Sequence, residues 1–388
     1  MSVIRPLRPE DIPQVASLYE FVMGSGSRTP RSGLVALLHQ VLLDHPWADP
    51  EIPSLVYTDA EARIVSFVGS HVRRLCVDGK PVRASYAGQL MSEPAVRDRG
   101  IGALLLRRYL AGSQDVSITD SAGLDVRLLW ERLGAATVSL GSHTWVRFLE
   151  PFRFGVERAV RRDSFWKPYA RSAAPLLDAV AKRACGKLLR VPRPPTTAEE
   201  LTPRALLEHL PAVAKCARVR PDYDEDFLAW LFLQMAGPTN SWAFYAMEGP
   251  TSDGSLVRRL VRDAAGKTRG WYVAYLPRHG IGDVQQLAAR GQDVGAVFDH
   301  LLYDAAEHGT ALLQGRLEPH LCETVWERHC VIRRSARFLV HSRDASLVDA
   351  IMVGDGVLTR MDGEWWVGPR IAGLAGKGEH RGEYRPRR

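Results

Sequence analysis

The chain has 388 residues, 46% of them apolar, with a formal charge of +7. That length and apolar share supply core for two domains, and no apolar run reaches the length of a membrane span. Met-Ser-Val-Ile-Arg does not read as a secretory signal. Five cysteines (76, 185, 216, 322, 330) without a CxxC pair point to reduced thiols in the cytoplasm rather than a disulfide framework.

In chain order, residues 2–7 read as a short strand. Pro9-Glu10-Asp11 opens a helix, with Pro and acids in its first turn. Ile12, Val15, Leu18, Tyr19 and Val22 continue it at helical spacing. A second helix is expected over 34–43. Strands follow at 54–58, 64–75 and 82–91, with Asp78-Gly79 as a hairpin turn between the last two. The strand ending at Met91 runs into Arg97-x-x-Gly100-x-Gly102, and apolar helical spacing begins at once (Leu104, Leu105, Leu106, Tyr109, Leu110). Glycines here remove the Cβ atoms that would hold a ligand off the backbone. The orphan N–H groups and positive dipole end of the helix suit a phosphate. The string is not a Walker loop, since no Gly-Lys-Ser/Thr follows, nor a dinucleotide fingerprint, since Leu105 stands where a third glycine belongs. Beyond it come a strand at 116–119, a helix at 125–133 and strands at 136–140 and 143–149.

The string Leu90, Pro94, Arg97, Gly100, Gly102 resembles the acyl-CoA-binding motif of the GNAT N-acetyltransferases, with Ser92 where that family usually has Val. The order of elements over 2–150 is similar to the same family, and Trp130-Glu-Arg-Leu-Gly134 resembles its Tyr-Glu-Lys-Leu-Gly segment. The resemblance implies an α/β (α+β) fold with a mixed, mostly antiparallel sheet flanked by helices. It implies acetyl-CoA as co-substrate, with no metal. The cofactor would be held by Leu90, Met91, Ser92, Arg97, Asp98, Arg99, Gly100, Ile101, Gly102 and Ala103.

Residues 151–195 carry eleven Lys/Arg against three acids, so this segment holds +8 and the remainder is near neutral. It reads as a basic helical linker, or as a surface for an anionic partner; no RNA-binding motif accompanies it. From 197 the elements recur: helices over 203–219 and 224–235, strands at 241–247, 255–262, 268–275 and 283–287, a helix at 294–308 ended by Gly309, a strand at 311–315, a helix at 320–329 and a strand at 335–341. This half lacks Arg-x-x-Gly-x-Gly and reads as a degenerate GNAT-like domain. The division expected is therefore 1–150, linker 151–196, second domain 197–375 and a disordered tail 376–388. Gly354-Asp-Gly through Trp366 reads as a terminal β-hairpin. Cys322 and Cys330 near His320 and His329 read as side chains of one helix more readily than as a metal site.

Acyl transfer to a primary amine needs a base for the ammonium and, modestly, an acid for the thiolate. Trp130 stands where many relatives carry an acid tyrosine, and an indole cannot serve. Tyr86 is the first candidate base, sharing strand parity with Leu90 and Ser92, though it also suits a core position. Glu93 and Asp120 are the competing carboxylates, and His71 could act through water or be structural. The expected acceptor is an amine on a small molecule, glycan or protein. The alternative is a non-catalytic CoA-sensing or scaffolding protein of the same descent.

Overall fold

The computed structural model describes residues 3–23, 32–159, 166–215, 217–237, 254–354 and 356–374. The strand expected at 241–247, Cys216 and the tail 376–388 lie outside the described residues. The first half comprises β1 (Val3–Pro6), α1 (Ile12–Met23), α2 (Ser32–Leu42), β2 (Leu55–Thr58), β3 (Ile64–Val77), β4 (Lys80–Ser92), α3 (Pro94–Arg97), α4 (Ile101–Leu110), β5 (Val116–Ala122), α5 (Leu124–Arg132), β6 (Ala136–Thr137) and β7 (His143–Phe148). Three helices follow: α6 (Pro151–Ala159), α7 (Lys167–Ala184) and α8 (Gly186–Leu189). The second half holds β8 (Thr197–Glu200), α9 (Pro203–Val213), β9 (Val219–Pro221), α10 (Glu225–Met235), β10 (Gly254–Arg262), β11 (Thr268–Pro277), β12 (Ile281–Ala289), α11 (Asp293–Glu307) and β13 (Leu312–Arg316). It ends with α12 (Cys322–Glu327), β14 (Val331–Arg334), β15 (Arg337–Ser342), α13 (Ala345–Met352) and α14 (Val367–Gly373).

Local chemistry sets several boundaries. Asp11 accepts the Arg8 N–H at 2.8 Å and pairs with Arg5 at 2.5 Å, closing the approach to α1. Thr202 caps α9 through the Ala205 N–H, and Asp224 caps α10 through the Phe227 N–H. The second carboxylate oxygen of Asp224 accepts the Trp47 indole N–H at 2.6 Å, and Trp47 stacks on Phe227 at 3.6 Å between ring centroids. These contacts join α1, α2, α9, α10 and the face of β11 into one apolar core shared by both halves.

Two sheets result, mostly antiparallel and flanked by helices, the architecture the sequence implies. The first runs β1-β2-β3-β4-β5-β15-β6, with β9 on the far end of β3; the second runs β14-β7-β13-β12-β11-β10-β8. Read from β8, the second has the position-by-position order of the first. Within the named strands, only β4 with β5 and β12 with β13 pair in parallel. Each sheet carries an irregularity just beyond the last residue of that parallel pairing, at Gln89–Leu90 on β4 and at Gln285 on β12.

The strands are reciprocally exchanged. β7, at 143–148, lies in the second sheet between β13 and β14, while β15 lies in the first between β5 and β6. Alternation identifies a strand but not its partner, so the sequence could not assign these two. The strand expected at 335–341 is β15, a further strand not expected from the sequence, β14, precedes it in the other sheet, and the strand expected at 136–140 ends at Thr137. Residues 358–366 form no hairpin: they run as successive buried turns between the sheets, and the nearest bridge is Val219 to Gly356.

A sheet missing its sixth strand exposes an unpaired edge. Fragments 1–192 and 193–388, made separately, are expected to aggregate or stay unfolded by circular dichroism. Co-expressed, they should yield one complex that melts in one transition. Independent folding of either fragment would show that the exchange is dispensable.

Candidate active site

The strand β4, its bulge and the start of α4 build the first part of the site. β4 and β5 pair from Ala84–Val116 to Tyr86–Ile118 and then diverge. The bulge on β4 puts Gln89 at φ 51°, an uncommon conformation for a residue with a side chain, and the Gln89 carboxamide meets His71 Nε2 at 3.0 Å. Below the bulge, Met91 and Ser92 are held to β3: Ser66 Oγ lies 2.9 Å from the Met91 carbonyl and 2.8 Å from Ser92 Oγ. Leu90 is half-buried beside them.

After Ser92 the chain turns through α3 to Gly100, whose φ of 71° starts α4 in the left-handed region. Arg97 folds back, its Nε donating to the Ser92 carbonyl at 3.1 Å, which ties the loop to the strand end. Gly102 faces Ser92 so closely that a Cβ would stand 3.1 Å from Ser92 Oγ. The first bond of the helix runs from the Leu104 N–H to the Gly100 carbonyl, so the N–H groups of Ile101, Gly102 and Ala103 stand ahead of the ladder. No acid lies in this first turn, and Asp98 and Arg99 are exposed. A diphosphate fits such a place: three donors, a positive dipole end and a glycine surface.

The second part lies between the diverging strands. Asp120, on β5 two residues beyond the last β4–β5 pair, is buried, and neither of its carboxyl oxygens has a hydrogen-bond partner among the described residues. Glu364, from the buried turns 358–366, enters the gap. Its Oε1 accepts Thr119 Oγ1 at 2.9 Å, Ser121 Oγ at 2.7 Å and the Asp120 N–H at 3.4 Å, while its Cγ lies against Gly88 on β4. Gly363 leaves room for the Asp120 carboxyl, which a Cβ there would overlap. Burial and the neighbouring Glu364 push the Asp120 carboxyl well above the usual carboxylate range, which favours its protonated form.

Tyr86 is fully buried and its hydroxyl has no partner among the described residues; burial raises the phenol well above its ordinary value, with Asp362 and Asp120 adding to it. A phenol raised in this way favours its protonated form. Burial pulls His71 down to about 3, so this imidazole is neutral and bound to Gln89. Glu93 occupies the N-cap position of α3 without a side-chain cap bond, and its N–H donates to the Val65 carbonyl at 2.9 Å. Trp130 packs with Leu105, Leu106 and Tyr109 beneath α4.

Sequence reasoning missed the rest of the cluster. Arg316 on β13 reaches Asp120 at 4.0 Å and Glu318 at 3.7 Å, and its Nη1 has no hydrogen-bond partner among the described residues. Arg360 pairs with Asp283 at 2.5 Å and donates to Thr144 Oγ1 at 3.0 Å; Trp365 Nε1 donates to the same Asp283 at 2.7 Å. Arg73 on β3 donates to the Asp362 carbonyl at 2.6 Å, and the Asp362 carboxylate accepts the Tyr223 hydroxyl and the Thr359 N–H. Each guanidinium also lies over a ring: Arg73 on Phe227, Arg316 on Phe338, Arg360 on Trp365. The signal available was three charged residues, Arg360, Asp362 and Glu364, inside a tryptophan-bounded run. The Asp-Gly pair made it look like a turn.

No protein-family model matches the chain, and no curated protein matches it. Solved structures do. A probable N-acyltransferase from Enterococcus faecalis, described as a conserved protein of unknown function, shares 10% identity at a TM-score of 0.53, covering 88% of this chain and 72% of that one. GCN5-related N-acetyltransferases from Anabaena variabilis and Kribbella flavida share 11% and 13% identity at TM-scores of 0.54 and 0.52. They match 89% of this chain in both cases, and 74% and 72% of their own. The chain therefore has the fold of the GCN5-related N-acetyltransferases. At this identity the likeness is one of fold.

Burial lifts Glu318 to about 7 from the ordinary 4.5, against the opposing pull of Arg316. The folded state then holds a proton that the unfolded state releases, so this contribution is full below about pH 4.5 and is lost as pH rises to about 7. Glu318→Gln should gain stability relative to the parent across that window, by up to about 3 kcal/mol. Parallel denaturant titrations at pH 4.5 and 7.5 measure it; an unchanged difference would refute the assignment.

Proposed function

We propose that the protein is an acyl-CoA-dependent N-acyltransferase, acting on a primary amine at the divergence of β4 and β5. The observation that carries this reading is the juxtaposition of two features at the divergence of β4 and β5. A glycine loop with three forward-facing N–H groups lies at one end, and a buried pair of carboxyl groups lies in the strand gap beside it. Acetyl-CoA, when bound, would supply the acyl group as an activated thioester, held by the Arg97–Ala103 loop and the backbone of Leu90, Met91 and Ser92. The second half would be a degenerate copy of the same unit. Its β12 diverges from β13 in the same way, but Asp293 stands in the first turn of α11, where an acid opposes an anion.

The roles within the chain follow from protonation. Glu364 Oε2, without a hydrogen-bond partner among the described residues, takes a proton from the acceptor ammonium, and the free amine then attacks the thioester carbon. Asp120 holds its proton and donates it to the departing thiolate, the task that Trp130 cannot perform. The Tyr86 hydroxyl and Arg316 Nη1 are donors aimed at the same charge cluster and would steady the negative charge developing on oxygen. A second reading rests on one observation: Glu364 already fills the strand gap, as it would in a CoA-binding protein that does not turn over. Thiol release with any member of an amine panel would exclude that reading.

Gly102→Leu should abolish heat of binding in calorimetric titration with acetyl-CoA while leaving the melting temperature near that of the parent. Normal binding by this variant would remove the loop from the site. Asp120→Asn copies the protonated carboxyl in shape and should fold normally, yet lower kcat by about 10²–10⁴-fold. An unaltered kcat in a thiol-release assay would rule out Asp120 as the acid.

A further inference from the structure

Helix α7 turns its apolar side to solvent. Ala174 and Asp178 mark its inner face: both are buried, and the Asp178 carboxylate accepts the backbone N–H groups of Phe152 at 2.8 Å and Arg153 at 3.0 Å, capping α6. Lys182, one turn further, reaches Glu150 at 3.9 Å. On the opposite face, Tyr169, Ala173, Leu176 and Val180 follow at steps of three or four residues, with Leu177 alongside. Leu176 is 71% exposed, Val180 64%, and Leu188 on α8 50%. Trp166 and Tyr169, also exposed, lie at the start of the stripe with ring centroids 6.1 Å apart.

The charge of this segment matches the exposure. Residues 151–195 carry +8, and the Asp178 carboxylate is spent inside the fold, on the cap of α6. Arg183, Arg190 and Arg193 are exposed, Arg183 bordering the stripe beside Val180. We propose that α7 and α8 dock the protein on an anionic membrane surface. The stripe would seat at the boundary of headgroups and acyl chains, with the arginines at the phosphates. The stripe is one convex helix face with an aromatic pair at its end and cations along its border, which fits a lipid surface better than the groove of a protein partner. Among the described residues no helix is long and apolar enough to cross a membrane, so α7 lies on the surface. This inference stands apart from the acyltransferase reading.

The test is sedimentation of the full chain with vesicles of phosphatidylcholine mixed with phosphatidylglycerol, and with vesicles of phosphatidylcholine alone. The expected result is binding to the anionic vesicles that weakens with added salt and is weaker on the neutral ones. The double variant Leu176→Glu, Val180→Glu alters two exposed positions and should fold as the parent by circular dichroism, yet bind at least about tenfold more weakly. Arg183→Glu with Arg190→Glu should lose the preference for anionic vesicles. Absence of vesicle binding, or equal binding by the parent and the Leu176/Val180 variant, would overturn the proposal. A dimer seen by light scattering, lost in that variant without any vesicle binding, would overturn it in favour of a second copy.

Discussion

The structure depends on a charged segment kept dry. Residues 358–366 lie between the two sheets, where Arg73, Arg316 and Arg360 meet the carboxyl groups of Asp120, Asp283, Glu318, Asp362 and Glu364. Removing ions from water costs several kcal/mol each unless partners replace the solvent. Three guanidinium groups against five carboxylates would leave a net negative charge. Burial lifts Asp120, Glu318 and Asp362 toward the protonated form, which brings the cluster near neutrality. Burial also pulls Arg73 and Arg360 below their ordinary value, yet a guanidinium remains charged in proteins. The cluster holds together because protons, hydrogen bonds and aromatic faces are distributed so that each charge has a counterpart.

That arrangement makes the candidate site a joint product of both halves. β4 and β5 supply Tyr86, Asp120 and the glycine loop, whereas Glu364 and Arg316 come from beyond residue 300. The backbone of 358–366 is itself held from both sheets, by Arg73 on one side and by Arg316 and the Gln285 carbonyl on the other. Rigid side-chain placement in the gap thus rests on residues distant in sequence. The first 150 residues alone would lack one of the two carboxyl groups.

What the sequence made legible is what local chemistry dictates. The loop from Arg97 to Gly102 lies where its glycines say, because a left-handed start and forward-facing N–H groups are properties of a few adjacent residues. Strands over 254–262 and 268–277 and the helix at 293–307 follow their hydrophobic periods closely. The bulge was illegible, since a glutamine carries its positive φ. The exchange of β7 and β15 was illegible because both sheets offer the same kind of edge. Glu364 and Arg316 were out of reach for a third reason: a buried ion looks like a surface residue until the fold places its partners around it. Tyr86 was located correctly on the strand, but its protonation depended on those same hidden partners.

The exchanged strands also set a timetable for synthesis. When β5 leaves the ribosome its open side has no neighbour, and the strand that will cover it begins at Arg337, about 215 residues later. At about 5–20 residues per second the nascent first sheet would wait roughly 10–45 s with an unprotected edge. β7 waits in turn for β13, which must emerge before Trp145 finds the surface that buries it. The first half therefore passes through a period in which β5, β6 and β7 await strands made later, an interval that an organism must bridge with fast translation or with chaperones.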